Sequence, residues 1–193
     1  MTVPGDARFP LHVGIDFNVD PGCAVIGYQH GAGIHIFDEV EIYGTDTNEM
    51  CREIQQRYPG RRIIAYPDAA GSQRKTSAGG VTDHIILKNA GFELRVGSQN
   101  PAVKDRVAAV NSAFKSKDGI TKCTVDPKCT KVIDGLRKHT YKEGTRQPEK
   151  GVYDHFNDAL GYMINNIYPV SQSINRPAGS AQIRRNTGQS YRR

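Results

Sequence analysis

Three apolar stretches, parted only by turn residues, occupy positions 12–43 and commit the chain to a sheet before any helix is reached. In the first, residues 12–17, Val13, Ile15 and Phe17 share one face, and Asp16 points the other way close to the strand's end. Asp20-Pro21-Gly22 has the composition of a turn and leads into a second apolar strand over residues 23–28. Gly31 and Gly33 precede a third, residues 34–43, whose alternation is the clearest of the three. Connections this short join strands into an antiparallel meander.

Beyond the meander, helical and strand patterns alternate. Asp46 and Glu49 have the spacing of a capping box, and Tyr58-Pro59-Gly60 stops the helix they open. Residues 62–68 form an apolar strand ending in Asp68, and the helical crossover that precedes it implies parallel pairing. A helical stretch over residues 83–89 closes at Gly91, with a strand over 93–96 after it. Val103, Val107, Val110 and Phe114 predict a helix over residues 101–115, capped by Asn100 with Pro101 in its first position. A last helix over 154–168 carries Phe156, Ala159, Leu160, Met163, Ile164 and Ile167 on one stripe, and Pro169 ends it. Residues 69–80 and 116–151 are polar, show no period, and read as insertions over one face. The expected class is α/β: a three-strand antiparallel meander plus parallel strands in one mixed sheet, flanked by helices.

Of 193 residues, 37% are hydrophobic and 24% charged, which suits one well-packed core and excludes a wholly disordered chain. No run approaches the roughly 18–20 consecutive apolar residues of a membrane-spanning helix. Residues 1–9 lack the apolar centre of a secretory signal, so a soluble intracellular protein is expected. Cys23, Cys51, Cys123 and Cys129 match no zinc-ligand spacing and are expected as free, buried thiols. Five arginines and no acidic residue fall in positions 170–193, so five of the six net positive charges sit there. The expected organisation is an ordered domain over residues 1–169 and a flexible basic tail over 170–193.

Three aspartates carry the chemistry. Asp16 lies near the end of the first strand, Asp68 ends the fourth, and Asp158 stands in the first turns of the last helix, off its apolar stripe. Neighbouring first and fourth strands bring Asp16 and Asp68 together, and the last helix delivers Asp158. Three converging carboxylates do not all stay ionised at close range without a cation. All-oxygen ligands suit Mg²⁺ or Mn²⁺, and two such ions about 3.5–4 Å apart activate water and stabilise the departing oxygen of a phosphodiester.

Gly14-Ile15-Asp16 followed by Asp20-Pro21-Gly22-Cys23-Ala24-Val25 resembles the first motif of the nuclease domain in tailed-phage terminase large subunits. Tyr66-Pro67-Asp68-Ala69-Ala70-Gly71 is similar to the second, and Tyr153-Asp154-His155-Phe156-Asn157-Asp158-Ala159-Leu160-Gly161-Tyr162 to the third. The third is the most specific, because His155 and Asp158 stand three apart on one helical face. The resemblance implies an RNase H-like fold, two divalent ions held by Asp16, Asp68 and Asp158, and cutting of concatemeric viral DNA during genome packaging in the host cytoplasm. In the longer protein it implies an ATPase domain, a portal and a small terminase subunit as partners, with the tail near the portal.

His155 reads either as a metal ligand or orienting group, or as a partner of Asp154. Asp20 reads either as an outer carboxylate or as a turn former. Arg74 and Lys75, just after Asp68, are candidate contacts to double-stranded DNA phosphates, and Arg137, Lys138, Lys142, Arg146 and Lys150 around Gly144 suggest a basic hairpin. Residues 72–76 lack the glycines of a phosphate loop, so no ATPase half is expected here. The same carboxylates also suit a junction resolvase or a transposase core, whereas a silent nucleic-acid-binding domain would lack one of them.

Overall fold

The computed structural model describes residues 8–17, 20–44, 46–73, 81–145, 151 and 153–170. Strands β1 (Leu11–Asp16), β2 (Gly22–His30) and β3 (Gly33–Ile42) form the meander. Helix α1 (Thr47–Arg57) crosses to β4 (Ile63–Pro67), which runs into a 3-10 turn, Ala69–Ser72. Then follow α2 (Asp83–Asn89), β5 (Glu93–Leu94), α3 (Val103–Phe114), β6 (Cys123–Val125), α4 (Thr130–Lys138) and α5 (Asp154–Ile167).

The six strands lie in the order β5-β4-β1-β2-β3-β6. Pairing is antiparallel within the meander and parallel for β1–β4, β4–β5 and β3–β6. Residues alternate between two cores. Leu11, Val13, Ile15, Ala24 and Ile26 pack against Met50, Cys51 and Ile54 of α1 and Leu87 of α2. Cys23, Val25, Ile34, Ile36, Ile64 and Tyr66 meet Ala109 and Val110 of α3, Val132 of α4, and the stripe of α5. Phe156, Leu160, Met163 and Ile164 are buried there, each large apolar side chain contributing about 1.5–3 kcal/mol. All four cysteines are buried and unpaired, and burial pushes the Cys123 thiol up to about 12. No described helix is long and apolar enough to cross a membrane.

Gly14 permits the closest approach between sheet and helix. A Cβ there would stand 2.1 Å from the Ala159 carbonyl oxygen, so only glycine lets α5 lie this near β1.

Residues 116–151, which show no period in the sequence and read as an insertion, contain regular elements. They contain β6, which extends the sheet beside β3, and α4, which packs on α5. β6 is too short to show alternation, and Gly135 interrupts the helical pattern of α4. That glycine is a packing choice, since a Cβ there would come within 3.0 Å of Asn157 Oδ1 and 3.3 Å of the Tyr153 carbonyl. Arg137 and Lys138 therefore belong to α4, where Lys138 pairs with Asp134, and not to a basic hairpin. A second correction concerns Asn100. The helix begins two residues later, behind Ala102 and with no side-chain cap, and Asn100 is used elsewhere.

Candidate active site

Parallel pairing of β1 with β4 continues one step past the strand, because the Asp68 N–H donates to the Ile15 carbonyl at 3.1 Å. Asp16 and Asp68 thus end neighbouring strands. Asp68 is tightly fixed. Its Oδ1 accepts from the Ala70 N–H at 2.7 Å and from Asn100 Nδ2 at 2.6 Å, and its Oδ2 from the Tyr162 hydroxyl at 3.3 Å. Asn100 Oδ1 in turn accepts from the Ala69 N–H at 2.8 Å, which ties the loop before α3 to the 3-10 turn.

Helix α5 brings the other groups. His155 Nδ1 lies 3.1 Å from Asp16 Oδ2, and its Nε2 is 3.6 Å from Asp154 Oδ1. His155 therefore contacts Asp16 more closely than the adjacent carboxylate. Asp158 Oδ1 lies 3.1 Å from Arg106 Nη1, and the Arg106 guanidinium stacks 4.5 Å from the Tyr162 ring centroid. Asp154, Asp158 and Tyr162 recur at intervals of four, so one face of α5 carries the polar groups while the stripe behind it is buried.

Electrostatics mark this as a site under charge stress. Burial pushes the Asp16 carboxyl up to about 6; the His155 hydrogen bond opposes this, and Asp158 and Asp68 add to it. Asp158 is also raised, chiefly by burial, against the pull of Arg106. Asp154 Oδ1 is buried and receives no hydrogen bond. Among the described residues no three His, Cys, Asp or Glu side chains are placed to hold a metal ion as they stand. The chemistry of the donor set nevertheless fits a hard cation: all-oxygen, mutually repelling, with one buried carboxylate oxygen that accepts no hydrogen bond.

A stability test follows from Asp16. A carboxyl raised from 3.8 to about 6 on folding stabilises the fold below its unfolded value and loses that contribution as pH rises through 6. In EDTA at pH 8, Asp16→Asn should therefore melt higher than wild type, by an amount on the order of 1–3 kcal/mol, and the gain should vanish near pH 4. Equal melting temperatures of the two proteins at pH 8 would show that the buried carboxylate carries no such cost.

Asp16, Asp68, Asp158 and His155 thus gather at one end of β1, β4 and α5. Asp20 does not require a role there, since its Oδ1 accepts the Gly44 N–H at 2.7 Å across the turn. Arg74, Lys75, Arg146, Lys150 and residues 171–193 lie outside the described residues. Asp154, Asn100, Arg106 and Tyr162 join the site without having been expected. For Asp154 and Tyr162 the four-residue spacing from Asp158 was the available signal; for Asn100 and Arg106 there was none.

A meander, a parallel crossover, and acidic side chains at the ends of β1 and β4 and on a closing helix define an RNase H-like domain. The chain belongs to the terminase RNaseH-like domain family, which it matches over residues 13–167. Its fold is similar to the nuclease domain of the P22 large terminase, at 12% identity and a TM-score of 0.62, with 86% of each chain covered. It is also similar to the large terminase of the thermophilic bacteriophage D6E in complex with ATP-gamma-S, at 17% identity and a TM-score of 0.66, covering 86% of this chain but 42% of that one. The large terminase nuclease of thermophilic phage G20c with bound cobalt matches at 14% identity and a TM-score of 0.53, with 83% of this chain and 82% of that one covered. The chain thus spans about two fifths of the length of the D6E protein. A comparison with curated protein sequences finds no match.

Proposed function

We propose that this chain is the nuclease domain of a phage terminase large subunit and cuts concatemeric viral DNA during genome packaging, as a divalent-metal-dependent endodeoxyribonuclease. The observation that carries the reading is the convergence of Asp16, Asp68 and Asp158 from two adjacent strand ends and one helix. Asp16, Asp68 and Asp158, with His155 beside them, would hold two ions, Mg²⁺ or Mn²⁺. When bound, such ions supply a water of lowered pKa and a counter-charge for the departing oxygen. Asn100 and Tyr162 hold Asp68 in one orientation, His155 holds Asp16, and Arg106 holds Asp158, so the carboxylates are set before substrate arrives. The bound cobalt in the G20c relative supports divalent-metal use.

The partner is double-stranded DNA, with Arg74 and Lys75 as phosphate contacts on the strength of their place after Asp68. In a longer protein the domain would work beside an ATPase domain, a portal and a small subunit, in the host cytoplasm. A cutter that trims a filled head acts wherever filling stops, so little base preference is expected, and ATP is not required for cutting.

Plasmid nicking by the purified chain, with EDTA, Mg²⁺ and Mn²⁺ arms and sequencing of the cut ends, tests this. Cation-dependent cutting at scattered positions is the expected result. Cutting in EDTA, or cutting confined to branched junctions, would overturn the proposal, and the latter would point to a resolvase.

A further inference from the structure

Among the described residues Arg106 is the one buried cationic side chain, with 7% of its surface exposed. It lies against the carboxylate site from the side of α3. Its Nη1 stands 3.1 Å from Asp158 Oδ1, and the guanidinium stacks over the ring of Tyr162, whose hydroxyl donates to Asp68. One cation therefore meets Asp158 directly and Asp68 through the ring beneath it.

Helix α5 is shaped to receive this side chain. At Gly161, one residue before Tyr162, an added Cβ would come within 3.3 Å of Arg106 Cβ and 3.5 Å of its Cδ, so the glycine leaves room for the arginine stem. Nε and Nη1 are buried, and no described group accepts a hydrogen bond from them. The position thus forgoes ordinary hydrogen bonding and keeps a charge. A guanidinium stays protonated at any accessible pH, so that charge cannot be shed by titration.

A fixed positive charge beside three carboxylates has two consequences of opposite sign. It offsets the repulsion among Asp16, Asp68 and Asp158 when no cation is bound, which lets the site assemble on folding. It also repels any divalent ion drawn to the same carboxylates. We propose that Arg106 is the resident counter-charge of the site: it neutralises Asp158 in the cation-free protein, and a divalent ion has to displace it from that carboxylate or share the carboxylate with it. This rests on the nuclease reading above and adds a control on loading, because the free protein takes up Mg²⁺ or Mn²⁺ more weakly than the three carboxylates alone would. A residue that only oriented Asp158 would strengthen cation binding, so the sign of the change on removing Arg106 separates the two roles.

Calorimetric titration of Mn²⁺ into the full chain, stripped of metal and free of DNA, tests this without cleavage. Arg106→Gln should bind Mn²⁺ about tenfold more tightly than wild type, and Mn²⁺ should raise its melting temperature further. Arg106→Lys keeps the charge and should stay near wild type. Lys88→Gln on α2, across the sheet, removes a distant charge and should match wild type as the control. Unchanged or weaker Mn²⁺ binding in folded Arg106→Gln would overturn the proposal and leave Arg106 as a holder of Asp158. If that variant does not fold, Asp158→Asn and Asp68→Asn decide. Arg106 already occupies Asp158, so losing that carboxylate should cost less Mn²⁺ affinity than losing Asp68, and an equal or larger loss overturns the proposal. No Mn²⁺ binding by Arg106→Gln, while wild type still nicks plasmid, would overturn the role of Arg106 and leave the nuclease reading standing. No Mn²⁺ binding by any of these proteins, together with no cation-dependent nicking by wild type, would remove both.

Discussion

Asp16→Asn, Asp68→Asn and Asp158→Asn should each lower Mg²⁺- or Mn²⁺-dependent plasmid cutting by about a thousandfold or more, the scale of losing roughly 4 kcal/mol of transition-state stabilisation. What separates the three is their effect on folding. Asp16→Asn removes a buried charge and should stabilise the cation-free protein at pH 8. Asp68→Asn should be nearly neutral, because an amide oxygen still accepts from Ala70 and Asn100. Asp158→Asn also removes a carboxylate that burial raises, but it takes the counter-charge from Arg106, so any gain should be smaller than at Asp16. Melting curves with single-turnover cutting assays check both halves. Full activity in any one variant would remove that aspartate from the site, and a uniform shift in melting temperature would contradict the environments described for them.

Gly14→Ala should be the most damaging alanine substitution among the described glycines. The added Cβ would meet the carbonyl oxygen and carbon of Ala159 at 2.1 and 2.8 Å, and Met163 Cβ at 3.2 Å. The first two are helix backbone, which no side-chain rotation can move aside. Helix α5 must shift away from β1 or the protein must unfold, at a cost of about 3 kcal/mol or more. For a chain of this size that lowers the melting temperature by roughly 6–12 °C. Activity should fall further than stability, since His155 and Asp158 ride on α5 while Asp16 stays on β1, and an ångström of misplacement costs about a hundredfold. Wild-type melting and cutting by Gly14→Ala would show that the contact is looser than described.

Asp16 and Asp68 are legible in the sequence because their placement is a local matter: each closes a short apolar run whose period of two sets which way it points. Asp158 and His155 are legible for the same reason on a helix, where Phe156, Leu160 and Met163 fix the buried stripe and leave the other face to the polar groups. Asn100 misleads because Asn before Pro is ordinary helix-start chemistry, yet its amide bonds Asp68, 32 residues earlier. Arg106 sits beside Val103 and Val107 as any solvated charge on an amphipathic helix would, and only the packing of α5 shows that it is buried. β6 and α4 escape a periodic reading because three residues cannot display alternation, and Gly135 answers to Asn157 on another helix.

The bond between His155 and Asp16 joins residues 139 positions apart, and its consequence lies in time as well as space. A chain emerging from the ribosome exposes β1 and β4 early, with two carboxylates at their ends and nothing to complete them. Closing so long a loop waits until α5 has been made and docked against Gly14. The candidate site is therefore incomplete until α5 has been made. Products that stop short of α5 carry the sheet without His155 and Asp158, and so only part of the candidate site.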